Sequence, residues 1–174
     1  MPGLIVFILG TAVIFYFSWS SLGRPGSHGF YRFFAWEFIL ILVCLDLSAW
    51  FHDPFAWHQL ISWFLLVLSI PVLVLGVTTL KKSGRAQTSF EATTQLVEVG
   101  IYGYIRHPMY ASLLYLAWGL FFKSLSWQNT FLVVLASLAL WLTARADETE
   151  CLAKFGKLYA GYMRRTKRFI PFLL

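Results

Sequence analysis

The chain has 174 residues, of which 59% are hydrophobic and 13% are charged, and its mean hydropathy is +0.68. Soluble domains carry about 25% charged residues, so this composition excludes an ordinary soluble domain and predicts a single-domain integral membrane protein. The formal net charge is +6. Because the basic residues cluster in loops and in the tail, as membrane topology requires, this charge does not indicate a nucleic-acid partner.

No pattern in the sequence indicates a disulfide framework or a metal site. Of the two cysteines, Cys44 lies in an apolar run and Cys151 in a charged segment, and such isolated positions are typical of neither. The first apolar segment has no basic region before it and no clear small-residue cleavage site. We therefore expect a retained membrane helix there rather than a signal peptide.

Apolar blocks along the chain predict five transmembrane helices. They run over residues 4–22, 33–51, 57–80, 109–122 and 127–144. A spanning helix needs about 20 residues, which the first three blocks provide, whereas the fourth is short. The fourth and fifth blocks together predict a helical hairpin. The predicted fold class is thus an all-α integral membrane protein with about five transmembrane helices, a C-terminal helical hairpin and a cytoplasmic amphipathic tail.

The distribution of positive charge predicts the orientation in the membrane. With five helices, all of the 14 Lys and Arg residues except Lys123 fall on one side, in the first loop, the third loop or the tail. The positive-inside rule then places the C-terminus and the loop containing Arg106 in the cytoplasm and the N-terminus outside. We expect a multi-pass protein whose active site faces the cytoplasm, and the small size suggests a prokaryotic inner or plasma membrane.

A polar stretch with several glycines, residues 100–110, lies between the third and fourth apolar blocks. Proline suits the first turn of a helix, so Pro108 predicts a helix that begins there and leaves Arg106 and His107 at its mouth. The free N–H groups of a helix N-terminus attract anions. A simpler interpretation stays open, in which Arg106 is only a topogenic charge and His107 is a spacer.

The segment after the fifth block contains an acidic pair, Asp147 and Glu148. If the helix continues into this segment, the acids lie at the membrane surface; a merely solvated charged helix is the alternative. The hairpin would place Arg106, His107 and Tyr110 opposite Arg145, Asp147 and Glu148. Such a mouth suits a zwitterionic ligand with an aromatic part, and its position at the bilayer edge suits a second, lipophilic substrate.

Two acids occur within the apolar blocks. Glu37 lies near the predicted cytoplasmic end of its helix and is able to reach the interface, whereas Asp46 lies deeper. Intramembrane acids are costly and often functional. Because His52 and His58 lie near Asp46 in the sequence, a structural hydrogen bond and a chemical role both remain open for this carboxylate.

Several motifs follow one another between Gln87 and the end of the chain. They are Val97-x-x-Gly100-x-Tyr102-x-x-x-Arg106-His107-Pro108-x-Tyr110, the acidic pair, Phe155-Gly156-x-x-Tyr159-x-x-Tyr162 and Ile170-Pro171. Each motif is weak alone. In this order and spacing they resemble the isoprenylcysteine carboxyl methyltransferase family, which is grouped with the phospholipid methyltransferases.

The resemblance implies a membrane-embedded enzyme that uses S-adenosyl-L-methionine to methylate a lipophilic small molecule, a prenyl compound or a lipid. We predict three transmembrane helices in residues 1–80 and one cofactor-binding catalytic region in residues 81–174, surrounded by membrane lipids. The expected cofactor contacts are Gln87, Thr94, Gln95, Leu96, Val97, Tyr102, Arg106, His107, Pro108, Met109, Tyr110, Asp147 and Glu148. The expected catalytic residues are Arg145 and Glu148, with no metal.

The chain departs from the family pattern in two places. The family usually has two glutamates where this chain has Asp147-Glu148, so either acid is a candidate for the cofactor contact. A glycine that usually follows the Arg-His-Pro-x-Tyr motif is replaced by Ala111-Ser112. The family also has an arginine shortly before the acids that is associated with the acceptor, and Arg145 is the nearest candidate, although its offset differs by up to a helical turn.

Two other functions remain as alternatives. Sterol reductases that use a nicotinamide cofactor have a similar Arg-His-Pro element and acidic segment, but they are usually much larger. A non-catalytic membrane sensor or subunit that keeps the binding mouth is the second alternative, and the aspartate in place of the first glutamate favours it slightly.

Overall fold

The structure is a computed structural model that describes residues 2–47, 49–84 and 94–173. Its α-helices are α1 (Pro2–Leu22), α2 (His28–Leu45), α3 (Trp57–Ser83), α4 (Pro108–Phe121), α5 (Trp127–Phe155) and α6 (Lys157–Arg165), with a 3-10 turn at Gly100–Gly103. The described residues contain no strand, only an isolated parallel bridge between Ile105 and Lys167. The predicted all-α class is confirmed.

Four helices in the described residues, α1, α2, α3 and α5, are long and apolar enough to cross a membrane. The fourth predicted span, α4, has 14 residues, which at 1.5 Å per residue is about 21 Å and short of a hydrocarbon core of ~30 Å. The protein is therefore an all-α integral membrane protein with four helices of spanning length and one shorter apolar helix. The orientation in the membrane stays a prediction.

The chain divides into two compact units. The first unit comprises Met1–Val67 and Leu114–Ala146, and the second comprises Leu68–Leu113 and Asp147–Leu174. The predicted boundary near residue 80, which concerned function, stays a prediction. Most of the residues that sequence analysis singled out belong to the second unit.

Small residues let helices approach closely within the first unit. A Cβ added at Gly10 of α1 would lie 2.7 Å from Cδ2 of Leu40 in α2. The same two helices share a hydrogen bond in which Thr11 Oγ1 donates to Glu37 Oε2 over 2.9 Å. Within the same unit, a Cβ at Gly119 would lie 2.9 Å from the side chain of Leu66. The two glycines therefore make room for leucine side chains of the neighbouring helices.

A buried polar cluster surrounds the connection between α4 and α5. Asn129 Nδ2 donates to Asp46 Oδ1 over 2.8 Å. The buried Lys123 donates from Nζ to Gln59 Oε1 over 2.9 Å, and the same atom lies 3.5 Å from the ring centroid of Trp63. Of the two roles that the sequence left open for Asp46, the structure shows the structural hydrogen bond.

The second unit contains an apolar cluster next to the start of α4. Leu80, Val97 and Tyr102 are buried together, and Ile101 and Met109 pack against them. Positive φ at Gly100 of +59° brings its backbone against Thr79, whose Oγ1 would lie 3.3 Å from an added Cβ, and only glycine adopts this conformation without strain. The cluster fixes the segment that leads into α4.

We predict that Gly119→Ala destabilises the protein by about 1–3 kcal/mol, because the new methyl group overlaps Leu66 and overpacks the interior. Gly161→Ala in the exposed part of α6 is the matched control: nothing lies within 4 Å of its Cβ position, so it should be neutral or raise stability by up to ~1 kcal/mol. Unfolding titrations in mixed detergent measure both. Equal effects of the two substitutions would contradict the close approach at Gly119.

Candidate functional site

Helix α4 begins at Pro108, the residue that the sequence predicted as its first. The carbonyl oxygen of His107 accepts a hydrogen bond from Ala111 N over 2.9 Å, so His107 is the capping residue. Proline lacks the N–H group that would have no partner at this position. The helix start and the histidine are thereby fixed together by local geometry.

The C-terminal tail runs beside the segment that precedes α4. Arg106 N donates to Lys167 O over 2.7 Å, and His107 N donates to Arg168 O over 3.1 Å. In return, Lys167 N donates to Tyr104 O over 3.3 Å. These bonds form a short parallel pairing that brings two stretches separated by about 60 residues side by side, although the chain has no regular strand in its described residues.

The carboxylate of Glu148 is held between two arginines, and we call this group the Glu148 clamp. Arg106 donates to Oε1 from Nε over 3.0 Å and from Nη2 over 2.9 Å. Arg168 donates from Nε over 3.0 Å to Oε1 and from Nη2 over 2.8 Å to Oε2. These bonds raise the pKa of Arg168. Because the Glu148 side chain is only 5% exposed, its charge is neutralised inside the protein rather than by solvent.

The remaining donors of Arg106 bind backbone carbonyls. Its Nη1 donates to Met163 O over 3.1 Å and also to Thr166 O. These carbonyls belong to the C-terminal end of α6, where a helix carries partial negative charge. The Arg106 side chain is buried, so its role is not only that of a topogenic charge. It connects the segment before α4 with Glu148 of α5 and with the end of α6.

The neighbouring acid, Asp147, has different surroundings. Its side chain is 28% exposed, and its Oδ2 lies 3.4 Å from Nδ1 of His107. Its other oxygen, Oδ1, lies 3.7 Å from the thiol of Cys151. Asp147 thus keeps an accessible surface, whereas Glu148 is enclosed by cations. Two adjacent carboxylates in one helix have different chemical availability.

The His107 ring lies between the two carboxylates. It stacks on Tyr110 with ring centroids 5.4 Å apart and an interplanar angle of 17°, and Phe169 lies at 6.3 Å. Burial of the ring lowers its pKa, but the nearby carboxylates of Asp147 and Glu148 outweigh this and raise it overall. Nε2 is buried 3.4 Å from Glu148 Oε1, yet among the described residues it has no hydrogen bond of suitable geometry.

The other predicted site residues differ in burial, and they do not all belong to the same unit of the chain. Val97, Tyr102 and Met109 take part in the apolar cluster, and Tyr162 donates its hydroxyl to Tyr102 O over 2.6 Å. Thr94 and Gln95 are exposed, Leu96 is half-buried and Gln87 lies outside the described residues. Arg145 belongs to the first unit, where its guanidinium carbon lies 5.1 Å from the Trp141 ring centroid.

Sequence reasoning missed Arg168, Phe169 and the role of the tail. Arg168 was grouped with the other basic tail residues as a topogenic charge, and Phe169 carried no motif. Their contacts depend on the pairing of the tail with the segment before α4. No periodic pattern in the sequence predicts this pairing. The only sequence signal was the proximity of Arg168 and Phe169 to the Ile170-Pro171 motif.

Comparison with known protein families identifies a family to which the sequence is similar. The sequence profile of a family described as phospholipid methyltransferase matches residues 57–157, which includes α3, α4, α5 and the start of α6. A search of curated proteins finds no match. The matched region contains the start of α4, His107 and both acids, but not Arg168.

We predict that Arg168→Gln lowers the free energy of unfolding by about 3 kcal/mol, because it leaves a buried carboxylate with less compensation. Arg165→Gln is the matched control, since Arg165 also pairs with a glutamate, Glu98, but is 67% exposed; it should cost less than about 1 kcal/mol. Detergent unfolding titrations compare the two. Equal and small losses of unfolding free energy in the two variants would contradict a stabilising role of the Glu148 clamp.

We predict that part of the stability of the protein depends on protonated His107. A raised pKa means that this contribution is fully present below the ordinary value of about 6.5 and is lost as pH rises through the higher value of the folded state. The difference in unfolding free energy between wild type and His107→Gln should therefore shrink as pH rises from 6 to 9. A difference that grows with pH would mean that the folded ring is neutral.

Proposed function

The chain belongs to the phospholipid methyltransferase family, whose profile matches residues 57–157, and from this premise we propose that it transfers a methyl group from S-adenosyl-L-methionine to a lipophilic acceptor. Membership makes it a membrane methyltransferase of lipid-type substrates. The cofactor, the residues that bind it and the acceptor are the parts we propose. The observation that carries the proposal concerns His107, which lies at the start of α4. Beside it are two acids of α5 that differ in exposure: Asp147 is accessible and Glu148 is enclosed.

The donor set of the second unit fits this cofactor. An ammonium group or ribose hydroxyls need an accessible carboxylate, and Asp147 is partly exposed. A carboxylate needs donors, and the N–H groups in the first turn of α4 are of that kind. An adenine ring or a sulfonium needs an aromatic face, for which Tyr110 is the nearest candidate to His107.

We assign the direct cofactor contact to Asp147 and a positioning role to Glu148. The sequence left the choice between them open. Glu148 accepts hydrogen bonds from Arg106 and Arg168, and exchanging those partners for a ligand would leave the buried guanidinium group of Arg106 without its carboxylate. Arg145 stays a proposal as the residue near the acceptor, resting on the family resemblance.

When bound, the cofactor supplies a methyl group that its sulfonium has already activated for in-line displacement. The residues of the chain then have to hold the cofactor and the acceptor in line and exclude water from the site. Asp147 and His107 hold the polar end, and the apolar cluster around Tyr102 keeps water away. Glu148, whose carboxylate is held by two arginines, does not suit a general base. This favours an acceptor that is already anionic, such as the carboxylate of a prenylcysteine-like molecule.

The two alternatives make different predictions. A nicotinamide-dependent reductase would not bind S-adenosylmethionine, and the family match supports the methyltransferase over it. A sensor or non-catalytic subunit would bind the cofactor without turnover.

Labelled S-adenosylmethionine separates these functions in one experiment. The purified protein, reconstituted in lipid, is given the methyl-labelled cofactor with a prenylcysteine, with phosphatidylethanolamine or with a small thiol. The proposal predicts binding and transfer of label to the prenylcysteine. Binding without transfer to any acceptor would indicate a sensor, absence of binding would overturn the proposal, and transfer to phosphatidylethanolamine alone would overturn the anionic-acceptor part.

We predict that Asp147→Asn weakens cofactor binding about 10- to 100-fold, the effect of losing a hydrogen bond to a charged group. The thermal stability of the protein should fall less than in Glu148→Gln, because Asp147 is partly exposed and loses only its pairing with His107. Calorimetry in detergent measures the affinity, with Glu150→Gln as the control at another exposed acid of α5. Equal affinities for wild type and Asp147→Asn would remove Asp147 from the site.

His107→Ala and Glu148→Gln should also weaken cofactor binding, but for different reasons. The first removes a buried ring that lies between the two acids, and the second loosens the Glu148 clamp, so both should also lower the unfolding temperature. Unchanged affinity in both variants would contradict a cofactor site beside α4.

A further inference from the structure

The C-terminal segment, residues 157–173, has two contrasting faces. Its buried side chains are Tyr159 and Tyr162 of α6 and, beyond the end of that helix, Thr166 and Phe169. Its other face, which we call the tail face, is exposed. The tail face consists of Lys157, Leu158, Arg164, Arg165, Lys167, Ile170, Phe172 and Leu173.

The tail face is positively charged. Residues 157–174 contain no acidic residue. Arg165 pairs with Glu98. Within the part of the chain that the structure describes, no ion pair involves Lys157, Arg164 or Lys167. Three positive charges on one face therefore have no acidic partner among the described side chains.

The same face carries large apolar side chains. Leu158 is 72% exposed and Phe172 is 85% exposed. Phe172 also has a φ of +67°, a backbone conformation that bulky residues rarely adopt. Exposed leucine and phenylalanine beside lysine and arginine are typical of helices that lie in the interface of a membrane. The protein spans a membrane, so such an interface is always within reach.

We propose that the tail face binds the surface of an anionic phospholipid bilayer. Lys157, Arg164 and Lys167 would contact the phosphate groups of the lipids, and Leu158 and Phe172 would enter the boundary between headgroups and acyl chains. Charge complementarity favours anionic over zwitterionic lipids. An acidic protein would satisfy the cations equally well but offers no reason for the protruding Phe172, so the bilayer is the occupant that accounts for both features.

Contact of the tail face with the bilayer would stabilise the position of α6, which in turn contacts the candidate site. The buried side of α6 hydrogen-bonds through Tyr162 to Tyr102 O, and Arg106 binds the Met163 carbonyl. Holding α6 against the bilayer would thus favour the arrangement in which Arg106 also holds Glu148. The consequence for methyl transfer rests on the proposed function, whereas binding of the tail face to lipid does not.

Hydrogen exchange of the full chain in lipid nanodiscs tests the proposal. Each basic residue near an anionic surface contributes roughly fivefold to association, so the three together contribute about 100-fold at low salt. We expect the amides of residues 157–165 to exchange several-fold more slowly in nanodiscs with phosphatidylglycerol than in purely phosphatidylcholine nanodiscs, and high salt should abolish the difference. Equal exchange in both nanodiscs would overturn the proposal, whether or not the protein methylates anything.

The triple variant Lys157→Gln, Arg164→Gln, Lys167→Gln should lose the lipid-dependent difference. A charge-matched control, Arg24→Gln, Lys81→Gln, Lys82→Gln, removes three exposed cations elsewhere and should keep it. If the triple variant did not fold, the salt titration of the wild-type protein would still decide the question. A difference that persists in the triple variant, or one that appears only when an acidic protein is added, would contradict binding of the bilayer by the tail face.

Discussion

The second unit depends on one buried carboxylate, that of Glu148, held between the guanidinium groups of Arg106 and Arg168. The three residues come from the segment before α4, the end of α5 and the tail. A buried charge is tolerated only when it is paired and hydrogen-bonded, so these three parts of the chain are stable only when they meet. The pairing of the tail backbone with the segment before α4 is the geometric consequence, and it brings Arg168 to the carboxylate.

Because of the Glu148 clamp, two adjacent acids differ in their availability to a ligand. Glu148 is occupied internally, which leaves Asp147 as the accessible carboxylate beside His107. The ring of His107 lies between both acids, which raise its pKa, and it stacks on Tyr110. A carboxylate, a cation and an aromatic face within a few ångströms of a helix N-terminus suit a zwitterionic ligand with an aromatic part. The chain belongs to a methyltransferase family, and we propose that the ligand of this site is the methyl donor.

The parts that sequence predicted well are those governed by local rules. Composition predicted the membrane class, and the rule for proline in the first turn predicted that α4 begins at Pro108. Continuation of the fifth apolar block predicted that one helix contains both acids, and α5 extends to Phe155. The hairpin prediction placed Arg106 opposite Glu148, whereas Arg168 was not predictable, because its contact depends on the return of the tail to the segment before α4. Neighbouring helical residues point about 100° apart, so the two acids had to differ, but only the fold decides which faces inward.

A structure of the protein with S-adenosylhomocysteine bound would test the central claim most directly. That claim is that Glu148 serves the protein and Asp147 serves the ligand. We predict that the ammonium group or a ribose hydroxyl of the ligand lies within hydrogen-bond distance of Asp147, while Glu148 keeps its bonds to Arg106 and Arg168. The account would be contradicted by a ligand bonded to Glu148, with Arg168 displaced from that carboxylate and Asp147 facing solvent.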